Sequence, residues 1–149
     1  ASALAAAHRV RVLHRDVRPT SIVVDASRSA KLGGFGVGRA ARVGKNKRTL
    51  SPLYLAPEEI RGEELDAQSD LYAFGCTLYE MLVGTPPFAT GDVVSQHLHT
   101  DPPAPSRKRP EVPGALDELV LSCLAKEKYE RVRSADELKQ QLAKLIRSA

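Results

Sequence analysis

One uncharged stretch, from Leu71 to Tyr79, constrains the fold more than any other part of this sequence. Its apolar side chains fall on every face of a helix, which is the pattern of a helix buried on all sides. Asp70 precedes the stretch as a helix cap, and the sequence Gly84-Thr-Pro-Pro87 ends it. The stretch is shorter than the roughly 18 apolar residues that a membrane helix needs. The sequence therefore predicts a mainly α-helical domain around a buried helix from Leu71 to Leu82.

A small β-patch and several further helices are predicted around this central helix. Runs rich in β-forming residues stand at 22–24 and 30–32, and residues 25–29 join them like a hairpin loop. Val10 and Val12 form another short run of this kind. Apolar spacing, caps and prolines predict helices at 3–8, 58–62, 92–99, 116–124 and 134–146, the last beginning with a capping box of Ser134 and Glu137.

Length and composition agree with one globular domain. The chain has 149 residues, of which 42% are hydrophobic and 27% charged, so it is too apolar for a disordered tail. Cys76 and Cys123 stand in apolar surroundings without C-x-x-C spacing, so we expect buried thiols and no disulfide. With no signal peptide and no membrane segment recognisable in the sequence, these features predict a cytoplasmic location.

The net charge of +4 is unevenly distributed along the chain. Residues 1–50 hold 11 Lys/Arg against 2 Asp/Glu, whereas residues 51–149 hold 11 Lys/Arg against 16 Asp/Glu. A basic first third suits nucleic acid, a phosphate-rich ligand or an acidic protein. Apart from Phe35, which we expect to be buried, no aromatic residue stands among these basic residues to stack on bases. We therefore predict no nucleic-acid partner.

Three short motifs follow one another in a specific order: His14-Arg15-Asp16-Val17-Arg18-Pro19, then Gly34-Phe35-Gly36, then Ala56-Pro57-Glu58. In this order they resemble the C-terminal lobe of a eukaryotic-like serine/threonine protein kinase, with a bacterial style of sequence. The resemblance covers essentially all 149 residues. It implies a kinase-like C-lobe fold, with a catalytic loop at 14–21, an activation segment at 34–58 and a helical subdomain at 59–149.

The resemblance implies a role for each residue of these motifs. Asp16 takes the place of the base that orients and deprotonates the substrate hydroxyl, and Arg18 takes the place of a lysine that faces the transferred phosphate. Arg15 resembles the arginine that pairs with a phosphorylated activation loop, in which Thr49 is the candidate phosphorylated residue. Ser51 matches the family residue that packs near the catalytic aspartate.

Further matches concern residues that hold the site in shape and take no part in the reaction. His14 is such a structural residue within its motif. The resemblance implies an ion pair between Glu58 and Arg131. It also implies that the Asp70 carboxylate binds backbone N–H groups of the catalytic loop.

Two departures from the family bear on catalysis. The family uses ATP with Mg²⁺, and it holds the metal with an aspartate before Phe-Gly and with an asparagine five residues after the catalytic aspartate. Gly34 and Ser21 occupy these two positions. Mg²⁺ prefers carboxylate oxygens, so this chain is predicted to lack metal ligands and to bind ATP and Mg²⁺ poorly, if at all.

A third departure is the absence of a G-x-G-x-x-G loop and of a V-A-I-K-type lysine before the catalytic loop. We therefore expect that the N-lobe is missing and that it belongs to a longer parent protein. The leading interpretation is a pseudokinase-like lobe that acts in signalling by binding proteins. The alternatives are part of an active, ATP-dependent serine/threonine kinase with Asp16 as base, and a truncated product without a function of its own.

Some remaining residues have a structural interpretation. His97 and His99 are two positions apart and so point to different faces of a helix, which makes a metal site there improbable. Glu80 lies on the buried helix, where a carboxylate needs a partner that the sequence does not identify.

Overall fold

The central helix is the longest element of the computed structural model, which describes residues 1–36 and 51–148. It begins at Ala67, earlier than predicted, because Asp66 and Ser69 form a capping box. The Asp66 side chain accepts the N–H of Gln68 at 2.9 Å. The predicted role of Asp70 as the cap is therefore wrong. The helix ends at Val83, before Gly84, whose φ of +87° is a left-handed conformation that suits glycine.

The described residues form two β-strands, six α-helices and four single-turn 3-10 helices. The strands β1 (Ile22–Val24) and β2 (Ala30–Leu32) pair in antiparallel fashion, with Ile22 opposite Leu32. The helices are α1 (Ser2–Arg9), α2 (Pro57–Ile60), α3 (Ala67–Val83), α4 (Val93–His99), α5 (Gly114–Cys123) and α6 (Ala135–Ser148). The prediction of a mainly helical fold with a small β-patch is confirmed.

Helix α3 is buried in the centre, as its apolar pattern predicts. Leu71, Tyr72, Cys76 and Tyr79 have no exposed surface. Helix α5 packs closely against α3 at Gly75, where an added Cβ would lie 2.7 Å from the Cβ of Cys123. Glycine at this position therefore sets the distance between the two helices.

A second part of the core lies where the first and last helices meet α3 and α5. Helices α1 and α6 pack together with residues of α3 and α5 around Leu4, Leu71, Leu119 and Leu138. Both cysteines are free and buried, as expected. Burial raises the pKa of the Cys123 thiol to about 12.

Most other local predictions are confirmed, and one more is wrong. The two strands match the predicted runs residue for residue. Asp92 caps α4 by accepting the N–H of Ser95, and Ser134 Oγ accepts the N–H of Glu137 at the start of α6. Val10 and Val12 are exposed and form no strand, because the N–H groups of Val10 and Val12 both bind the carbonyl of Ala7 in a turn after α1.

In the part of the chain that the structure describes, no helix combines the length and the apolar character required to cross a lipid bilayer.

Candidate functional site

The loop that carries Asp16 is held by the buried carboxylate of Asp70. Its Oδ2 accepts the N–H of His14, and its Oδ1 accepts the N–H of Arg15, both at 2.8 Å. These are the hydrogen bonds that the resemblance implies for Asp70. Arg15 has a φ of +67°, a conformation that costs energy in a non-glycine residue. The two hydrogen bonds hold the loop in this strained form.

His8 completes the surroundings of Asp70, and sequence reasoning missed it. The imidazole Nε2 lies 2.8 Å from Asp70 Oδ2. His8 stands in the last turn of α1, so its ring reaches the start of the central helix. The only sequence signal is a histidine in the last turn of an alanine-rich helix, and the pattern does not indicate which residue it contacts.

The Asp16 carboxylate forms an ion pair with Arg18. The Asp16 Oδ1–Arg18 Nε distance is 3.3 Å, and the side chains are 13% and 37% exposed. Val17 between them is buried, which anchors the loop to the core. An acidic and a basic group therefore stand next to each other at a surface that a ligand can reach.

Ser51 lines the same cleft as Asp16, together with Tyr54. The Tyr54 hydroxyl donates to Glu80 Oε2 at 2.5 Å. This hydrogen bond supplies the partner that the sequence predicted Glu80 to need. Thr49 and the basic residues between 39 and 48 lie outside the described residues.

The two positions that the resemblance assigns to the family's metal ligands, 21 and 34, lie side by side. A Cβ added to Gly34 would be 4.0 Å from Ser21 Oγ and 3.9 Å from His14 Cε1. Ser21 Oγ donates its hydrogen to the carbonyl of Asp16 at 2.9 Å, and Gly33 N–H donates to the Ser21 carbonyl at 2.8 Å. The fold therefore brings the two positions together.

These residues do not fit a Mg²⁺ ion. Gly34 has no side chain, and Ser21 offers one neutral hydroxyl oxygen, whereas Mg²⁺ is normally held by one or two protein carboxylates. Within residues 1–36 and 51–148, no group of three or more His, Cys, Asp or Glu side chains is placed to hold a metal. The chemistry available here is that of Asp16, Arg18 and the loop backbone.

Phe35 follows Gly34 and packs its ring edge against His14, with 4.6 Å between the ring centroids. It is 37% exposed, so the expectation of a buried Phe35 is wrong. His14 itself is fully buried, and its Nε2 lies 2.7 Å from the Gly33 carbonyl oxygen. His14 thus links the Asp16 loop to Gly33 and Phe35.

Glu58 and Arg131 form the ion pair that the resemblance implies, and both are buried. The guanidinium also donates to the backbone carbonyls of Ala125, Gln68 and Lys126. Burial acts to raise the pKa of Glu58, but hydrogen bonds from Arg131 and Ser69 outweigh it and hold that pKa below its ordinary value. The pair therefore attaches the end of the predicted activation segment to the predicted helical subdomain.

His97 is a second buried histidine. Its Nδ1 lies 2.8 Å from the Tyr72 hydroxyl, and its ring packs against Phe88. Burial, followed by the charge of Lys126, lowers the pKa of His97 to about 4. His97 therefore belongs to the core, whereas His99 is exposed.

Comparison with known proteins gives one consistent result. The sequence pattern of the protein kinase domain matches residues 1–142. The chain is 39% identical over 153 aligned positions to the serine/threonine-protein kinase PknB of Mycolicibacterium smegmatis, covering 96% of the chain and 24% of that protein. It is 38% identical to a probable serine/threonine-protein kinase of Streptomyces coelicolor, covering 92% of the chain and 22% of that protein. The chain thus spans about a quarter of the length of these relatives.

Proposed function

The chain belongs to the protein kinase domain family, and on this basis we propose that it is a catalytically impaired, pseudokinase-like lobe that acts in signalling by binding proteins. The curated relatives are named as serine/threonine kinases. We propose the same domain division as above: a catalytic loop at 14–21, an activation segment at 34–58 and a helical subdomain at 59–149. An N-lobe in a longer parent protein is part of this proposal.

One observation carries the proposal: the two family metal positions are adjacent, yet neither provides a carboxylate. In phosphoryl transfer, metal ions neutralise the charge that develops on the phosphates. Without Mg²⁺ ligands at 21 and 34, transfer is expected to be slower by orders of magnitude. ATP and Mg²⁺ are therefore cofactors of the family, and we propose that this site holds them weakly.

The frame around the site supports a binding role. The Asp70 hydrogen bonds and the buried Glu58–Arg131 pair maintain the shape of the loop and of the segment's end. Such a frame stabilises a surface that a protein partner can recognise, whether or not phosphate is transferred. We also propose a cytoplasmic location, because free cysteines are typical of proteins in reducing compartments.

The alternative is an active kinase in which Asp16 is the base. The observation that favours it is the partly exposed Asp16 carboxylate, with Arg18 paired to it and Ser51 in the same cleft. In this alternative, Arg15 pairs with a phosphorylated Thr49.

A single experiment separates the two. The natural protein that contains these residues is incubated with Mg-ATP and a generic protein substrate, and phosphate transfer is compared with that of Asp16→Asn. The proposal predicts transfer at background level for both proteins, with the same partners captured by both. Robust transfer that Asp16→Asn abolishes would establish the active kinase instead.

A further inference from the structure

The ammonium group of Lys126, on the segment that follows α5, lies against two aromatic rings. Its Nζ is 4.8 Å from the centre of the Phe88 ring and 6.0 Å from the centre of the Tyr72 ring. An ammonium carries three N–H donors, and the acceptor found for Lys126 among the described residues is the carbonyl of Gln96, at 3.2 Å. The surrounding groups therefore replace only part of the water that this cation loses.

The charged groups that face Lys126 come from three neighbouring parts of the fold. The Arg131 guanidinium lies 4.9 Å from the centre of the same Tyr72 ring, so two cations share one aromatic ring. Asp101, an exposed residue after α4, is the acid among the described residues whose charge favours the ammonium. On α3, burial raises the pKa of the Cys76 thiol, so that group brings no negative charge near neutral pH.

This environment makes the uncharged amine of Lys126 available near neutral pH. Burial lowers the pKa of Lys126 from 10.5 to about 8, and the charge of Arg131 acts in the same direction. An uncharged lysine amine has a free electron pair and is a nucleophile. Lys126 is partly exposed, so a small reagent can reach it from the solvent.

We propose that Lys126 is a site of N-acylation, which takes an acyl group from an acyl phosphate or a thioester. The Nζ electron pair forms a bond to the acyl carbon, and the bond from that carbon to the phosphate oxygen or the thioester sulfur breaks. Phosphate or thiolate leaves with the electron pair, and the nitrogen releases one proton to water. The product is an uncharged amide, so acylation also removes a charge that faces the buried ring of His97. The inference goes beyond the proposed function, because the step requires neither nucleotide nor a partner protein.

Site-resolved acetylation of the natural protein that contains these residues tests the proposal. The protein is incubated at about pH 7.5 with acetyl phosphate or, in a parallel arm, with an acetyl thioester, and each lysine is followed by mass spectrometry. Lys139, an exposed lysine of α6, is the internal control. At this pH about one amine in four is uncharged when the pKa is 8, against about one in a thousand when it is 10.5. This difference outweighs the weaker nucleophilicity of a less basic amine, so Lys126 should react about tenfold faster than Lys139.

The dependence on pH and on folding completes the test. The rate at Lys126 should level off above about pH 8, whereas the rate at Lys139 should keep rising to about pH 10. In guanidinium chloride the two rates should become similar, because the preference depends on the fold. A preference seen with only one of the two reagents supports the proposal and identifies the class of donor.

Three results would overturn the proposal. The first is an equal or lower rate at Lys126 than at Lys139 in the folded protein with both reagents. The second is a rate at Lys126 that rises in parallel with that at Lys139 up to about pH 10. The third is a preference for Lys126 that persists unchanged in the unfolded chain.

Discussion

The Glu58 carboxylate and the Arg131 guanidinium face each other in a bidentate ion pair, with both N–O distances at 2.8 Å, although they stand 73 positions apart in sequence. Neither side chain is more than 2% exposed. Glu58 also accepts the Ser69 hydroxyl at 2.7 Å. The pair therefore connects α2, the start of α3 and the segment before α6.

Removing one partner of this pair should be strongly destabilising. Arg131→Met leaves the Glu58 carboxylate buried without its counter-charge, and the expected loss is about 3–5 kcal/mol in the free energy of unfolding. Urea denaturation measures the loss. The matched control is Arg133→Met, at an exposed arginine two residues away, and should cost less than about 0.5 kcal/mol. The double variant Glu58→Met with Arg131→Met should recover part of the loss. Equal losses for Arg131→Met and Arg133→Met would show that the buried ion pair does not stabilise the fold.

Because of the same pair, the free energy of unfolding should decrease in acid. The folded-state pKa of Glu58 is below its ordinary value of 4.5, so its contribution is present above that pH and is lost as the pH falls through the folded-state pKa. Unfolding free energies measured from pH 6 down to pH 3 should therefore decline more steeply in the natural sequence than in Glu58→Gln. Parallel curves for the two proteins would contradict this.

His97 should contribute a separate pH dependence at higher pH. Its pKa is lowered from 6.5 to about 4, so the unfolded chain binds a proton before the folded protein does. Its contribution is complete above pH 6.5 and is lost as the pH falls towards 4, by roughly 3 kcal/mol in total. His97→Gln should flatten the stability curve in this window, whereas His99→Gln, at the exposed histidine, should leave it unchanged. A curve of the same slope in His97→Gln would refute the assignment.

Gly75→Ala should destabilise the protein even though alanine favours helices. The added Cβ would lie 2.7 Å from Cys123 Cβ, and this overlap is expected to cost about 1–3 kcal/mol, more than the gain of about 1 kcal/mol in helix propensity. The control is Gly114→Ala, where nothing lies within 4 Å of the added atom. Thermal unfolding should show a lower Tm for Gly75→Ala and an unchanged or higher Tm for Gly114→Ala. A raised Tm at position 75 would mean that α3 and α5 are not in close contact there.

The sequence predicts best the features that depend on residues close together in the chain. The strands at 22–24 and 30–32 and the Asp92 cap follow from residue type and spacing within a few positions. The start of α3 was misplaced because Asp66 and Asp70 are equally good caps by type, and only the hydrogen bond from Gln68 distinguishes them.

Contacts across long sequence separations could not be read from the residues alone. His8 and Asp70 are 62 positions apart, and the burial of His97 depends on Tyr72 and Phe88 from other elements. The exposed Phe35 was expected inside because residue type predicts burial only on average. The Asp70 and Glu58–Arg131 contacts were expected from the family resemblance, and the adjacency of Ser21 and Gly34 became visible only in three dimensions.

We propose that catalysis is impaired because positions 21 and 34 lack metal ligands. The most direct test is the rate of γ-phosphate transfer from Mg-ATP by the natural protein carrying Ser21→Asn with Gly34→Asp. Asp is suited to position 34, because it tolerates the left-handed φ of +84° better than most non-glycine residues. We predict background transfer by the natural sequence and a gain of at least about tenfold in the double variant, which Asp16→Asn then abolishes. No gain in a folded double variant, or robust transfer by the natural sequence, would show that the missing metal ligands do not impair catalysis.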